Sequence, residues 1–148
     1  WTRMLAHRKQ QFPGDQPIDL LHNPGFSTEF QTKGNVALTW SRDKWGATLF
    51  GTYFGPTPNY AAQLNNGYDA PYAGKVPAWR IYNASVDYSP TRAWQLSLRI
   101  NNIRNSMPPI DITSPGYTNT PFNSANYNAL GRELFVEARY RFGHDGGH

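Results

Sequence analysis

The sequence predicts an all-β fold in which antiparallel strands form a portion of a transmembrane β-barrel. Three observations lead to this prediction. Long segments alternate between apolar and polar residues, as the two faces of a β-strand do. No run approaches the roughly 18 consecutive apolar residues of a transmembrane helix. The connections between segments are alternately long and short, and outer-membrane barrels have short periplasmic turns and longer extracellular loops.

The clearest strand pattern lies in residues 132–142, which read RELFVEARYRF. One parity is apolar and ends in two aromatic residues: Leu134, Val136, Ala138, Tyr140 and Phe142. The other parity is mostly charged: Glu133, Phe135, Glu137, Arg139 and Arg141. A tilted membrane strand needs about 9–11 residues, whereas soluble strands average about 5–6. A soluble sandwich strand also alternates, so this segment alone leaves both interpretations open.

The composition suits a barrel with a polar lumen and long loops. Only 39% of the residues are hydrophobic but 15% are aromatic, and the mean hydropathy is −0.66. Because cysteine is absent, disulfides and cysteine-ligated metal sites are excluded. The net charge of +4 is small and the basic residues are scattered along the chain, so we expect no nucleic-acid partner. The chain starts at Trp1 without a signal peptide, which indicates a mature chain or a fragment.

The first half of the chain contains a broken strand, a long loop and a hairpin. Residues 1–8 are typical of the tail of a strand, and prolines and glycines predict a loop over residues 9–33. Residues 34–41 and 45–54 are strand-like, and the charged turn Arg42–Lys44 joins them into a hairpin. On the second strand we expect Ala47, Leu49 and Tyr53 outward, with Thr48, Phe50 and Thr52 inward.

The second half repeats this arrangement. Residues 55–76 form a second long loop with three tyrosines, and residues 78–88 and 93–101 form strands joined by a short turn. Outward positions are Tyr82, Ala84, Val86, Tyr88, Trp94, Leu96, Leu98 and Ile100. Tyr88 and Trp94 flank the turn, where an interfacial aromatic belt is expected. Residues 102–131 form a third long connection. The short turns are therefore predicted to be periplasmic, and Phe142 ends near the periplasm.

Four short motifs resemble those of TonB-dependent outer-membrane receptors. NNIRNSMPP at residues 101–109 resembles the family's N-L-F-(D/N)-x-x-P-P segment after the penultimate strand. VPAWR at 76–80 and YNALGRE at 127–133 resemble the entries to two C-terminal strands. The Tyr140–Phe142 sequence YRF resembles the aromatic-ended signal read by the barrel assembly machinery. The resemblance covers residues 34–142, whereas the family usually stops at the aromatic residue and this chain continues for six more.

The resemblance implies that the chain is the C-terminal part of a receptor that imports a scarce nutrient, such as a siderophore or a carbohydrate. The family barrel has about 22 strands and a plugged lumen. Residues 1–142 contribute about six strands with long extracellular loops, and residues 143–148 form a flexible tail. The plug and the energy-coupling segment must lie elsewhere. The implied location is the bacterial outer membrane, and the alternatives are an outer-membrane channel or enzyme barrel, or a soluble lipocalin-like binding module.

The implied partners are outer-membrane lipid, the rest of the barrel with its plug, the TonB complex acting through the plug, the barrel assembly machinery and an extracellular small-molecule ligand. No cofactor is expected. No enzymatic activity is expected either, because no nucleophile-elbow motif brings a serine beside a histidine. The histidines of the tail could bind a metal, but a flexible terminus is the favoured interpretation, so no metal site is predicted.

The candidate site residues fall into three groups. The predicted ligand-binding residues lie in the loops and are Tyr60, Tyr68, Tyr72, Asp111, Tyr117 and Tyr127. Tyrosine suits this role because it has a rigid ring face and a hydroxyl. For the tyrosines in residues 55–76, however, packing within the loop is the favoured role. Predicted lumen-facing residues are Asp87, Arg99, Glu133, Glu137, Arg139 and Arg141. These either line a path or, as the favoured interpretation, pair across strands as salt bridges. Tyr140 and Phe142 are the predicted assembly signal.

Overall fold

The structure, a computed structural model, describes residues 1–26, 29–64, 67–114 and 119–142. It is all-β with antiparallel pairing and very little helix, which confirms the predicted fold class at that level. The strands are β1 (Thr2–Arg3), β2 (Arg8–Lys9), β3 (Ile18–Asp19), β4 (Thr32–Arg42), β5 (Trp45–Phe54), β6 (Thr57–Pro58), β7 (Lys75–Val76), β8 (Trp79–Tyr88), β9 (Trp94–Asn101) and β10 (Glu133–Tyr140). A 3₁₀ turn covers Pro24–Phe26, and a short helix, α1, covers Tyr60–Leu64.

A six-stranded sheet contains the six segments that the sequence predicts. Its order is β1-β4-β5-β8-β9-β10, so each long strand lies beside the next one along the chain. Within the described residues β1 and β10 are the two ends of this order and do not pair with each other, so the sheet is not closed. No helix in the described part of the chain is long and apolar enough to cross a membrane.

The register of the last three strands agrees with the predicted division into two faces. Leu98 lies opposite Val86 on β8 and Val136 on β10, and Ile100 lies opposite Ala84 and Leu134. Each of these rows is apolar on all three strands. The intervening rows are mostly polar: Ser97 lies between Asp87 and Glu137, and Arg99 lies between Ser85 and the one apolar exception, Phe135. Cross-strand partners share a face of the sheet, so the alternation in sequence becomes a continuous apolar face and a continuous polar face.

The long connections contain more regular structure than expected. The expected strand over residues 1–8 contracts to β1, and the following loop contains β2 paired with β3. The second long loop contains α1, and β6 pairs there with β7. The prolines and glycines of these loops predicted that no helix would form there. The helix α1 forms nevertheless, because it is only one turn long and its first amides are bonded to polar side chains outside the helix. Such local capping leaves no periodic signal in the sequence.

Two compact units make up the chain. The first contains the long connections with the strand ends that enter them, residues 1–34, 52–80 and 107–129. The second contains most of β4, β5, β8, β9 and β10 with the two short turns, in residues 35–51, 81–106 and 130–148. The short turns are tied together within the second unit, because Lys44 Nζ donates to the Pro90 carbonyl at 2.6 Å and Ser89 N–H donates to the Lys44 carbonyl at 2.8 Å.

An aromatic cluster forms the core of the first unit. Phe30, Trp79 and Tyr127 are buried, and the Tyr127 ring centroid lies 5.4 Å from Phe30 and 5.5 Å from Trp79. Phe54 completes the cluster at 5.1 Å from Phe30. Aromatic pairs at such distances contribute about 0.5–1.5 kcal/mol each beyond area burial. The cluster therefore joins three long connections that are far apart in sequence.

Candidate functional site

The second unit exposes an extended apolar surface, which we call the apolar face. Its aliphatic members are exposed side chains on five strands: Val36, Leu38, Leu49, Val86, Leu96, Leu98, Leu134 and Val136. Val136 is 78% exposed and Leu134 is 64% exposed. Water-soluble monomers rarely expose contiguous apolar patches larger than a few hundred Å². Surfaces of this kind mark sites of contact with another protein, a ligand or a membrane.

Aromatic side chains border the apolar face at the end that carries the two short turns. Trp45 and Tyr88, at the start of β5 and the end of β8, stack with ring centroids 4.2 Å apart. Trp94 and Tyr140 are paired in register on β9 and β10, with centroids 4.8 Å apart. Trp40, near the end of β4, is also exposed. We call these five residues the aromatic row. The sequence had predicted Tyr88 and Trp94 beside the short turn and Tyr140 at the aromatic end of the last strand, but it had not predicted Trp40 or Trp45.

The opposite, polar face is held by hydrogen bonds between strands. Ser97 Oγ donates to Asp87 Oδ1 at 2.5 Å, and Asn101 Nδ2 donates to Glu133 Oε2 at 3.2 Å. The ion pair of this face in the described residues is Arg139 with Glu137, at 2.8 Å within β10. It runs along one strand, so the favoured expectation of salt bridges across strands is wrong in these residues. The physical reason is register, which places Arg99 opposite Phe135 and Arg139 opposite Gln95.

The remaining predicted residues of the final segment lie at its end. Arg141 N–H donates to the Ala93 carbonyl at 2.8 Å, so the backbone pairing continues past Tyr140. The Phe142 ring contacts the Tyr140 ring with centroids 4.6 Å apart and is 91% exposed. The predicted tail, residues 143–148, lies outside the described residues.

Asn102 organises the turn that leaves β9, and we call its hydrogen bonds the Asn102 network. The residue is buried and has a left-handed backbone, with φ 48°. Its Nδ2 donates to the Ser106 carbonyl at 2.9 Å and to the Leu130 carbonyl at 3.1 Å, and its Oδ1 accepts from Ser106 N–H at 2.8 Å. Its own N–H donates to Asn83 Oδ1 at 2.8 Å. One residue thus links the end of β9 to β8 through its backbone and to the entry of β10 through its side chain.

Asn105 extends this connection. It also has a left-handed backbone, with φ 50°, and its Oδ1 accepts from Arg132 N–H at 2.9 Å. A Cβ at Gly131 would lie 3.1 Å from that oxygen, so glycine lets the two segments approach closely. The segments NNIRN and ALGR, which carried two of the family resemblances, therefore meet directly. Sequence reasoning did not assign these asparagines a role, although asparagine is among the residues that tolerate a left-handed backbone.

A cavity of about 400 Å³ opens in the first unit and is a candidate ligand site, because two of the predicted ligand residues, Tyr60 and Asp111, line it. Its walls come from β6, α1, β7 and the connection before β10. The lining residues are Thr57, Pro58, Tyr60, Gln63, Val76, Asp111, Ser114, Thr120, Phe122, Asn123 and Ser124. The volume lies within the range of roughly 300–1,000 Å³ that is typical of small-molecule sites.

Asp111 and Thr113 hold the wall of this cavity by capping α1. Tyr60 N–H donates to Asp111 Oδ2 at 2.7 Å, and Ala61 N–H donates to Thr113 Oγ1 at 3.0 Å. Asp111 Oδ1 accepts from the Thr113 hydroxyl at 2.6 Å and from Thr113 N–H at 2.9 Å. Asn59 Oδ1 accepts from Ala62 N–H, so the first three amides of the helix are all bonded. Asp111 is thus a buried structural acceptor at the cavity as well as a lining residue.

The other predicted ligand residues have separate positions. Tyr68 is exposed with Lys75 Nζ 5.7 Å from its ring centroid, and partial burial raises its pKa. Tyr72 is 84% exposed and has a left-handed backbone, with φ 63°. Tyr127 belongs to the aromatic cluster, where burial raises its pKa and the neighbouring Thr57 side chain lowers it in part. Its buried hydroxyl makes no hydrogen bond of regular geometry within the described residues. Tyr117 lies outside the described residues. Of the predicted ligand residues that the structure describes, only Tyr60 and Asp111 come together.

No three His, Asp or Glu side chains within the described ranges come together in a way that could hold a metal ion. Comparison with known proteins adds no relative: no family model, no curated protein and no solved structure matches the chain.

Proposed function

We propose that the chain is the C-terminal part of the β-barrel of a TonB-dependent outer-membrane receptor that imports a scarce nutrient. In this proposal the apolar face contacts lipid and the polar face lines the lumen. The long connections of the first unit are extracellular, and the short turns are periplasmic. The remaining strands, the plug and the contact with the TonB complex belong to the rest of the receptor, as the motif resemblance implies.

The observation that carries the proposal is the aromatic row at one border of the apolar face. Trp and Tyr concentrate where a bilayer meets water, because each has an apolar body and a polar tip. Barrel strands carry such girdles next to their turns, with aliphatic side chains in the span between. Trp45, Tyr88, Trp94 and Tyr140 follow this arrangement, and Leu98 and Val136 occupy the aliphatic span.

A soluble lipocalin-like module explains this arrangement less well. Its apolar face would form a core, in which large aromatic side chains have no reason to gather next to the short turns. A channel or enzyme barrel would share the lipid-facing surface but would lack a plug. Only the receptor proposal accounts also for the four ordered motifs.

The complete protein, expressed with any leader it carries, is expected to fractionate with the outer membrane and to require detergent for extraction. Closed barrels resist dissociation in cold detergent, so we expect a faster-migrating band in unheated electrophoresis samples that shifts on boiling. Recovery of the folded protein in the aqueous fraction without detergent would contradict the proposal. A heat-modifiable barrel whose uptake of its nutrient is independent of TonB would favour the channel instead.

Phe142→Ala is expected to lower the outer-membrane level of the complete protein far more than Phe135→Ala. Both residues are exposed phenylalanines of the same segment, but Phe142 ends the apolar parity, whereas Phe135 lies on the polar face opposite Arg99. Immunoblots of outer-membrane fractions measure the effect. The heat shift of the protein that does assemble should be unchanged, since the proposed role concerns assembly and not stability. Equal outer-membrane levels of the two variants would show that Phe142 is not part of the assembly signal.

A further inference from the structure

The cavity of the first unit combines two kinds of surface. Tyr60, Phe122, Pro58 and Val76 supply aromatic and aliphatic walls. Hydroxyl and amide groups supply the rest: Thr57, Gln63, Ser114, Thr120, Asn123 and Ser124. A ligand that fits must therefore present both carbon–hydrogen surface and several hydrogen-bonding groups, because a purely apolar ligand would displace water from hydroxyl groups of the lining and leave them without that partner.

The charge of the lining narrows the ligand class. Among the described residues that line the cavity there is no lysine, arginine or histidine, and the one ionisable acid is the buried Asp111. Carboxylates, phosphates and sulfates are bound in proteins by arginine, lysine or clustered backbone amides. A buried carboxylate in the wall also repels an anion, and this repulsion is strongest where water is excluded. The lining therefore disfavours anionic ligands.

A cationic ligand gains little from the same carboxylate. Asp111 already accepts three hydrogen bonds, two at Oδ1 from Thr113 and one at Oδ2 from Tyr60 N–H. These donors occupy three of its roughly four acceptor positions, so an ammonium group could gain at most one further hydrogen bond there. What remains accessible in the lining is mainly neutral donors and acceptors.

The walls are fixed before a ligand arrives. The bonds from Asp111 and Thr113 to the start of α1 join residues 51 and 52 positions apart in sequence. Asp111 N–H donates to the Pro121 carbonyl at 2.7 Å, and Gln63 Nε2 donates to the Pro58 carbonyl at 2.8 Å. A site held in this way loses little side-chain and loop entropy on binding, which leaves more of the contact energy as affinity.

From these observations we infer that the cavity binds a neutral, polyhydroxylated small molecule of the size of a mono- or oligosaccharide. A sugar ring stacks one carbon–hydrogen face on Tyr60 or Phe122 while its hydroxyl groups bond to the Thr, Ser, Asn and Gln side chains. The inference deepens the proposed function, since the cavity lies in the connections assigned to the extracellular side, and it names the class of nutrient.

Binding can be measured on the complete protein in a detergent without a sugar headgroup, by isothermal titration calorimetry and saturation-transfer NMR. The neutral probes are glucose, maltose and maltotriose. Glucuronate and citrate are the anionic probes, and glucosamine is the cationic one. We expect neutral saccharides to bind in preference to all charged probes. Tighter binding of an anion or of glucosamine would overturn the inference, as would the absence of binding by every neutral probe to protein with an intact fold.

The matched variants are Tyr60→Ala, in the cavity, and Tyr72→Ala, on the exposed loop. Loss of the stacking ring should weaken saccharide binding about tenfold, while Tyr72→Ala should leave it unchanged. Thr120→Val keeps the side-chain shape and removes one hydroxyl, so it should also weaken binding even if Tyr60→Ala fails to fold. The cavity would be excluded as the binding site if Thr120→Val bound saccharide as tightly as the wild type and the two tyrosine variants changed the affinity equally.

Failure of this inference and failure of the proposed function give different results. A heat-modifiable outer-membrane protein that binds no neutral saccharide refutes the ligand class alone. A protein that is extracted without detergent but still binds saccharides through Tyr60 refutes the receptor proposal alone.

Discussion

Leu98→Arg in the complete protein is expected to lower the free energy of unfolding by about 2–4 kcal/mol, the cost of a lipid-facing cation near the bilayer midplane. Leu98 lies in the middle of β9 with Val86 and Val136 as its partners on the two neighbouring strands. An arginine there would meet aliphatic side chains on both sides and lipid in front. Equilibrium unfolding in urea, after refolding into lipid vesicles, measures the change.

Arg99→Leu is the matched control, since it exchanges the same two residue types one position along the strand. Arg99 is exposed on the polar face, opposite Ser85 and Phe135. We expect a change of about 0.5 kcal/mol or less, as for most surface substitutions. Similar losses at the two positions would show that the faces of the sheet are not lipid and lumen.

The difference between these neighbours explains how much of the fold the sequence could predict. Each long strand has an apolar face and a polar face along its whole length. Apolar and polar residues therefore alternate over eight or more positions, and this alternation is easily detected in the sequence. The strand predicted over residues 93–101 is found at Trp94–Asn101, and its apolar parity faces the apolar parity of both neighbours. The strands, their order and their faces were therefore predictable.

The candidate site was much less predictable, because its contacts join residues that no local pattern connects. Asp111 bonds to Tyr60 across 51 positions, and each residue alone has only the composition of a polar loop. Tyr127 seemed equal to Tyr60 as a ligand residue, yet it packs with Phe30 and Trp79 because aromatic burial dominates there. A tyrosine in a loop has no sequence signal that separates stacking on a ligand from stacking on the protein.

Asn102→Ala is expected to destabilise the protein by about 2–4 kcal/mol, because it removes the three hydrogen bonds of a buried side chain and each contributes about 0.5–1.5 kcal/mol. The Ser106 and Leu130 carbonyls lose the Nδ2 donor, and Ser106 N–H loses the Oδ1 acceptor. Alanine also tolerates the left-handed backbone at φ 48° less well than asparagine. Urea unfolding in lipid vesicles and the outer-membrane level should both register the loss.

The neighbouring Asn101→Ala provides the matched control. Asn101 is exposed, and its side chain makes a hydrogen bond of 3.2 Å to Glu133 on the polar face. Its loss should cost about 0.5–1 kcal/mol, the net contribution of an ordinary hydrogen bond. Comparing the two variants tests whether the Asn102 network, and not asparagine at either position, directs the chain into β10. If the two alanine variants unfold at the same urea concentration, the entry to the last strand is fixed by the apolar rows and not by Asn102.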